Sequence, residues 1–125
     1  MEPSLNTKSV ISLATGLEDA EKVTVAFLVA VGSSEAERPT LMFLTKEVVR
    51  LVTGDHLRGT ACEGCPPLES LAKRYAESGG RFLVCPICFN SRHLSVKDLV
   101  GNAELGGTVP MWEWIGDDAA NTFSY

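Results

Sequence analysis

The chain has 125 residues, of which 45% are hydrophobic and 22% are charged, and its formal net charge at pH 7 is −5. This length and apolar content predict a single domain, residues 1–125, built around one packed core. The excess of acidic residues disfavours attraction to phosphate backbones and to anionic lipid, so we expect neither nucleic acid nor a membrane among the partners.

The N-terminal segment MEPSLNTKSVISLATG lacks the basic start and the apolar run of a secretory signal. The longest apolar run, Val25 to Val31, is too short to cross a bilayer. We therefore expect a cytoplasmic protein. In a reducing compartment a Cys-x-x-Cys pair is more often metal-binding or catalytic than a structural staple.

The first half of the chain predicts two strands and two helices. The segment from Val10 to Ala14 is β-prone, and the apolar run from Pro39 to Thr45 suits a strand covered on both faces. Between them, Glu18 to Val31 contains β-branched residues that favour a strand, but its apolar residues recur at helical spacing and its first residues are acidic, so we predict a helix. A short helix over 46–53 and a glycine-bearing loop over 55–65 follow.

The second half continues this alternation. Pro66 and Pro67 open a helix with one apolar stripe, which the glycines of ESGG end. The run RFLVC is predicted as a strand. The remaining predicted elements are a short helix near Val96 to Leu99, a strand at Ala103 to Leu105, a helix over PMWEWIG and an end strand NTFSY. Strands that alternate with helices predict a parallel sheet covered by helices on both faces.

The two tryptophans of PMWEWIG, Trp112 and Trp114, are about 200° apart on a helix. One of them can therefore lie in the core while the other faces outward. An exposed tryptophan is typical of a subunit interface, although partial burial within the monomer is the simpler interpretation.

All four cysteines lie in two Cys-x-x-Cys pairs, with the pattern C-x2-C-x19-C-x2-C. This spacing is in the range of zinc sites, so Cys62, Cys65, Cys85 and Cys88 could hold zinc or an iron–sulfur cluster. The residues between the pairs predict a full helix and a buried strand, however, and not the small hairpin of a zinc ribbon. Convergence of the four thiols is possible but is not required by the pattern.

The alternative is that the CPIC pair is reactive. It follows a central strand, and reactive groups collect at the carboxyl ends of strands in open parallel sheets. A thiol there faces the start of the next helix, whose positive dipole end stabilises thiolate over thiol. Cys85 is the candidate nucleophile, and Cys88, three residues later, is the candidate resolving thiol.

The neighbouring residues have weaker claims. Arg92 and His93 could supply positive charge or a proton near the thiolate, although both are more simply interpreted as exposed loop residues. Cys65 stands directly before a helix-opening proline and is a possible accessory residue. Cys62 is balanced between that role and a packed loop position.

Several segments, in this order, resemble the DsrE/DsrF-like family, which includes sulfur-relay proteins of the TusD type. The segments are SLATGLEDAEKVTVAFLVA, LMFLTKEVVRLV, GCPPLESLAKRYAESGGRFLVCPICFNSRHL, AELGG and WEWIG. The resemblance runs from about Lys8 to Tyr125. It implies a three-layer α/β/α sandwich with a five-stranded, mostly parallel sheet of the flavodoxin-like or DsrE-like kind, and often a homotrimer or hexamer.

In the sulfur-relay members of this family, one cysteine just after a central strand and before a helix accepts sulfur as a persulfide and passes it to a partner protein. The matching position here is Cys85. The first hypothesis is therefore a sulfurtransferase-like sulfur carrier that needs no cofactor, with protein sulfur donors and acceptors as partners. The alternatives are a thiol-disulfide redox protein using Cys85 and Cys88, and a four-cysteine zinc or iron–sulfur module.

Overall fold

The structure is a computed structural model that describes residues 7–125. Within this range a five-stranded, wholly parallel sheet has the strand order β4-β3-β2-β1-β5. The strands are β1 Lys8–Leu13, β2 Thr40–Leu44, β3 Arg81–Val84, β4 Ala103–Leu105 and β5 Ala120–Ser124. The helices are α1 Ala20–Glu35, α2 Leu68–Glu77, α3 Pro86–Ser91 and α4 Thr108–Ile115, with 3-10 helices at Leu17–Asp19, Lys46–Val52 and Val96–Asp98.

The strand order explains the three layers. The connections from β1 to β4 step across the sheet in one direction, whereas the connection from β4 to β5 returns to the other side of β1. Because crossovers between parallel strands are right-handed, the first three connections lie on one face and α4 lies on the other. The predicted α/β/α, flavodoxin-like architecture is confirmed, with a sheet that is entirely parallel.

One face of the sheet forms the main core with α1, α2 and α3. Its largest side chains are almost completely buried: Ile11, Phe27, Met42, Tyr75, Phe82 and Phe89. The ring of Phe82 on β3 packs at a tilt against two other aromatic rings, with ring centroids 6.0 Å from Phe27 and 5.1 Å from Tyr75. Burial of these aromatic side chains supplies much of the driving force for folding.

The opposite face carries a smaller core under α4, here called the second core. It consists of Leu41, Phe43, Leu83, Met111 and Trp114, together with Cys85. Alternate residues of β2 face the two cores, because Met42 and Leu44 belong to the main core. Trp112 is 65% exposed while Trp114 packs on the sheet, which confirms the predicted division between the two tryptophans.

The segment with the ambiguous pattern is helical. The Asp19 side chain accepts a hydrogen bond from the Lys22 backbone N–H at 3.1 Å and so caps α1. The β-branched residues are accommodated because Val23 and Thr24 lie on the buried side of the helix. The Thr24 hydroxyl donates to the Ala20 carbonyl at 2.8 Å, which satisfies its polar group inside the helix.

Two predictions needed adjustment. The helix predicted over 46–53 is a 3-10 helix with Val48, Val49 and Val52 buried. The sequence predicts a short helix at Val96 to Leu99, where the structure has a single 3-10 turn. It does not predict α3, which begins directly after Cys85. No helix within residues 7–125 has the length and apolarity needed to cross a membrane.

Candidate functional site

Cys85 directly follows an interior strand and leads into a helix that the predicted elements did not include. Strand β3 lies between β2 and β4, and it ends at Val84. The Cys85 backbone N–H still donates to the Leu44 carbonyl at 3.0 Å, so the sheet fixes its main chain. Its carbonyl accepts from the Phe89 N–H at 3.0 Å, the first hydrogen bond of α3. One residue therefore joins the strand to the helix.

The Cys85 side chain belongs to the second core and is partly exposed. Its surroundings are apolar on the sheet side, where Phe43 and Leu83 are buried, and on the helix side, where Met111 and Trp114 pack. The thiol is free. The site is therefore a free thiol at the surface, with a hydrophobic floor beneath it.

Two helices begin beside Cys85. Pro86 opens α3, and Gly107 precedes α4; neither helix start is capped by a side chain. The two starts are close, since a Cβ atom built on Gly107 would lie 4.0 Å from Pro86 Cδ. Uncapped helix starts present backbone N–H groups and a positive dipole end, both of which favour an anion.

Gly106 permits this arrangement. Its N–H donates to the Val84 carbonyl at 3.0 Å, which extends the pairing of β4 with β3. A Cβ atom at Gly106 would lie 2.5 Å from Leu83 Cδ1 and 3.3 Å from Pro110 Cβ. A side chain there would meet both β3 and α4, so Gly106 allows the start of α4 to pack closely against β3.

Cys88 is also a free thiol, but it packs on the other side of the sheet. It contacts the main core, whereas Cys85 contacts the second core. The turn that joins β3 to α3 therefore separates the two sulfurs between opposite faces. The role of Cys88 as a resolving thiol stays a prediction that this arrangement does not favour.

Arg92 is not the exposed loop residue of the simpler interpretation. Its side chain is only 22% exposed, and its Nε–H donates a hydrogen bond to Glu47 Oε2 at 2.5 Å. Nη1 also donates to the Cys88 carbonyl at 3.1 Å. Hydrogen bonds from Arg50 and then from Arg92 hold the pKa of the Glu47 carboxyl below its usual value. The charge of Arg92 is thus paired, and its position ties α3 to the 3-10 helix after β2.

His93 is exposed and follows α3 in a left-handed backbone conformation, with φ of 57°. Its backbone N–H donates to the Asn90 carbonyl at 3.0 Å, which ends the helix. This placement agrees with a helix-terminating surface residue. Its proposed part in proton transfer stays a prediction.

The other cysteine pair forms a separate site. Cys62 and Cys65 are joined by a disulfide, with their Cα atoms 5.1 Å apart. Among residues 7–125, which include all four cysteines, no three His, Cys, Asp or Glu side chains are placed to hold a metal ion. The four-cysteine ligand set that the spacing allows is therefore not assembled in this structure.

Sequence reasoning indicated one exposed tryptophan but missed two other exposed apolar side chains, Ile87 and Val109. Ile87, in the first turn of α3, is 80% exposed; Val109 and Trp112 of α4 are 66% and 65% exposed. We call these three side chains the apolar rim. Val109 and Trp112 are three residues apart on α4 and lie on one face of it, and the start of α4 is close to Pro86, the residue before Ile87. Exposed apolar side chains grouped in this way are typical of sites that contact another protein. Only the spacing of apolar residues within α3 and α4 could have indicated Ile87 and Val109 from the sequence.

The fold is shared with solved structures of low sequence identity. The ychN protein from E. coli matches with a TM-score of 0.74 and 18% identity, over 95% of this chain and 99% of that one. BT1422 from Bacteroides thetaiotaomicron matches with a TM-score of 0.65 and 17% identity over the whole of both chains. MTH1491 from Methanobacterium thermoautotrophicum matches with a TM-score of 0.64 and 13% identity, over 93% and 98% of the two chains.

No protein-family model matches the chain, and no curated protein matches its sequence. BT1422 and MTH1491 are themselves described as proteins of unknown function. At these identities the structural likeness establishes the fold. The function has to be argued from Cys85 and its surroundings.

Proposed function

We propose that the protein is a sulfurtransferase-like sulfur carrier that holds sulfur as a persulfide on Cys85. The observation that supports this most directly is a free, partly exposed thiol at the carboxyl end of an interior parallel strand, at the start of a helix. The sulfur-accepting cysteine has the same place in the DsrE/DsrF-like family that the sequence resembles. No cofactor is part of the proposal.

The chemistry is two successive displacements at sulfur. The Cys85 thiolate attacks the terminal sulfur of a donor persulfide, the donor S–S bond breaks, and the donor leaves as a thiolate. The product is Cys85–S–S⁻. An acceptor thiolate then attacks the terminal sulfur and releases the Cys85 thiolate. Electrons and atoms balance without an added oxidant, and the exchange needs only an accessible, nucleophilic thiol.

The surroundings of Cys85 suit an anionic persulfide. The starts of α3 and α4 lie close together next to Cys85 and have no side-chain cap, so their positive dipole ends favour a nearby anion. The apolar floor formed by Met111 and Trp114 keeps one side of the sulfur from water. A persulfide on Cys85 would thereby be stabilised by the helix dipoles and partly shielded from water.

The partners in this proposal are proteins that donate and accept sulfur. The apolar rim offers them a docking surface next to the thiol, since Ile87 lies two residues from Cys85 and Val109 lies in the first turn of α4. Buried apolar contacts at the centre of an interface carry much of the binding energy. A small sulfur compound would need no such surface.

Replacing Ile87 by glutamate tests the docking surface. We expect sulfur uptake from a cysteine desulfurase supplied with L-cysteine to slow by about 5- to 10-fold. The reason is that the apolar contact that Ile87 would bury against the donor protein is replaced by a charged side chain. Loading from inorganic polysulfide should stay unchanged, since that donor makes no apolar contact. Uptake is followed by intact-mass spectrometry at successive times.

Val96→Glu is the matched control, because Val96 is also apolar and 60% exposed but lies in the 3-10 helix Val96–Asp98. It should leave both loading rates unchanged. Equal slowing by the two substitutions would show a general effect of added negative charge. Normal uptake by Ile87→Glu would remove the apolar rim from the proposal.

The resemblance also leads us to propose a cytoplasmic homotrimer or hexamer. Phe123, which is 41% exposed on the edge strand β5, supplies apolar surface that such an assembly could bury. Light scattering of the purified chain tests the assembly. A monomer at micromolar concentration would contradict it.

The carrier function itself is tested by sulfur accounting. The protein is incubated with polysulfide, desalted and treated with cyanide, which converts sulfane sulfur to thiocyanate. We expect about one sulfane sulfur per chain. This sulfur should be lost when a small thiol acceptor is added to the loaded protein before the cyanide. Release of sulfide with formation of a Cys85–Cys88 disulfide would instead support the thiol-disulfide function. Retention of zinc or iron on all four cysteines would overturn both.

A further inference from the structure

We propose that Cys62 and Cys65 form a second reactive centre, a reversible dithiol–disulfide couple that exchanges two electrons with thiols and acts separately from Cys85. The pair lies in the loop between β2 and α2, and its sulfurs are bonded to each other while Cys85 and Cys88 remain free. The proposal goes beyond sulfur carriage. It rests on the turn, the exposure and the neighbour of this disulfide.

The backbone holds the two cysteines at bonding distance. The Cys65 N–H donates to the Cys62 carbonyl at 3.0 Å, which closes a four-residue turn. Gly64, the third residue of that turn, has φ of +78°, a conformation that glycine adopts without strain. The resulting Cα separation of 5.1 Å is within the range that a disulfide requires. The turn therefore favours disulfide formation from the two thiols.

The bond is poorly suited to be a structural staple. Only two residues separate its cysteines, so it constrains the unfolded chain far less than a bond that closes a long loop. It also joins no two helices or strands. The loop is attached to α2 by a different contact, the hydrogen bond from the Leu68 N–H to the Thr60 carbonyl at 2.9 Å.

The disulfide lies in an exposed part of the loop. Cys62 and Cys65 are both partly exposed, and the residues around them, Glu63, Gly64 and Pro66, are exposed. A disulfide that a thiolate can reach is open to exchange, whereas a buried one is protected. The exposure thus permits the attack that a redox couple needs.

One neighbour distinguishes the two sulfurs and the two redox states. Thr24 Oγ1 lies 3.7 Å from Cys62 Sγ, and its own proton is donated to the Ala20 carbonyl at 2.8 Å. The bonded sulfur has no proton to give, so this contact is not a hydrogen bond in the oxidised state. After reduction the Cys62 thiol can donate to Thr24, which is 2% exposed. The reduced state therefore gains a hydrogen bond that the oxidised state lacks.

The exchange can be written in full. A substrate thiolate attacks Cys65 Sγ, the Cys62–Cys65 bond breaks, and Cys62 leaves as a thiolate. It takes up a proton from water and, as a thiol, donates a hydrogen bond to Thr24 Oγ1. A second substrate thiolate attacks the substrate sulfur of the mixed disulfide, and Cys65 leaves and is protonated. The substrate dithiol loses two electrons and two protons, and the cysteine pair gains them. The substrate class is a dithiol, as in a small dithiol protein.

Equilibration of the full-length protein in glutathione buffers tests this couple. Differential alkylation and peptide mass spectrometry report Cys62 and Cys65 separately from Cys85 and Cys88. We expect the Cys62–Cys65 bond to open and close reversibly across these buffers while the circular dichroism of the folded chain is unchanged. A bond that opens only on unfolding, or thiols that never pair, would overturn the proposal.

Two substitutions with matched controls test the mechanism. Gly64→Ala should shift the equilibrium towards the dithiol by about fivefold or more, because it strains the turn that the bond needs. Gly59→Ala is its control, since Gly59 has φ of +73° and also has no atom within 4 Å of its Cβ position. It lies outside the turn and should leave the equilibrium unchanged.

Thr24→Val should shift the equilibrium towards the disulfide by about 2- to 5-fold, because the thiol loses its acceptor. Thr24→Ser keeps the oxygen and should restore the wild-type value. If neither Gly64→Ala nor Thr24→Val differs from its control, the pair is not tuned as proposed. Because the readout is the state of Cys62 and Cys65, it stands or falls independently of sulfur loading on Cys85.

Discussion

Gly80→Ala is expected to lower the free energy of unfolding by about 3 kcal/mol or more. A Cβ atom at Gly80 would lie 2.2 Å from Tyr75 Cε1 and 2.3 Å from Cδ1, well inside van der Waals contact. The ring cannot move aside, because Tyr75 is fully buried and packs against Phe82. Its hydroxyl also donates to the Arg81 carbonyl at 2.7 Å. Urea unfolding followed by circular dichroism measures the change.

Gly79→Ala is the control for this effect. Gly79 has φ of +90°, so alanine there is strained, but no atom lies within 4 Å of its Cβ position. The Gly79→Ala protein should lose about 1 kcal/mol of its free energy of unfolding, which is the cost of the left-handed conformation alone. A Gly80→Ala protein as stable as the Gly79→Ala protein would contradict the close packing of this junction.

The Gly80 junction matters for the site because it sets the start of β3. The buried hydroxyl of Tyr75 fixes the first residue of the strand, and burial raises the pKa of that hydroxyl so that it stays a donor. Cys85 follows four residues later, at the carboxyl end of the same strand. A displaced β3 should therefore also change the exposure of the thiol.

Cys85→Ser is expected to abolish sulfur loading, reducing it to the level of protein kept without donor. A serine hydroxyl does not ionise at neutral pH and cannot form a persulfide, so the first displacement has no nucleophile. The substitution is nearly isosteric at a partly exposed position, and the free energy of unfolding should change by less than about 1 kcal/mol. Loading is measured by cyanolysis after incubation with polysulfide.

Cys88→Ser is the paired control. Cys88 is also free and partly exposed, yet it contacts the main core on the opposite face of the sheet. We expect it to load sulfur as the wild-type protein does. If Cys88→Ser lost loading and Cys85→Ser retained it, the assignment of the carrier would be reversed. If both lost it, the two thiols would have to act together.

The fold was largely predictable because its signals are local. Alternating strands and helices, each with its own apolar period, require a parallel sheet, and Ala103–Leu105 was placed at its observed bounds. The helix α3 was harder to see, because CPICFNS has only two turns and its proline could equally have belonged to a loop. The helical state of Ala20–Glu35 was decided by its buried stripe and Asp19 cap, against the β-branched residues.

The site was only partly predictable. The placement of Cys85 at the end of a strand follows from the apolar run RFLVC, which the sequence displays, whereas the helix after it was not indicated. The pairing of Arg92 with Glu47, 45 residues apart, depends on tertiary packing and has no local signal. The same is true of the contact between Cys62 and Thr24 and of the separation of Cys85 from Cys88 between two cores.

The position of the carried sulfur is the most direct test of the account. Wild-type protein loaded with polysulfide is treated with an alkylating reagent that labels thiols and persulfides, digested, and mapped by peptide mass spectrometry without reduction. We predict that the extra sulfur resides on Cys85, with Cys88 labelled as a plain thiol. Sulfur found mainly on Cys88, or spread evenly over the four cysteines, would contradict a dedicated carrier at the end of β3.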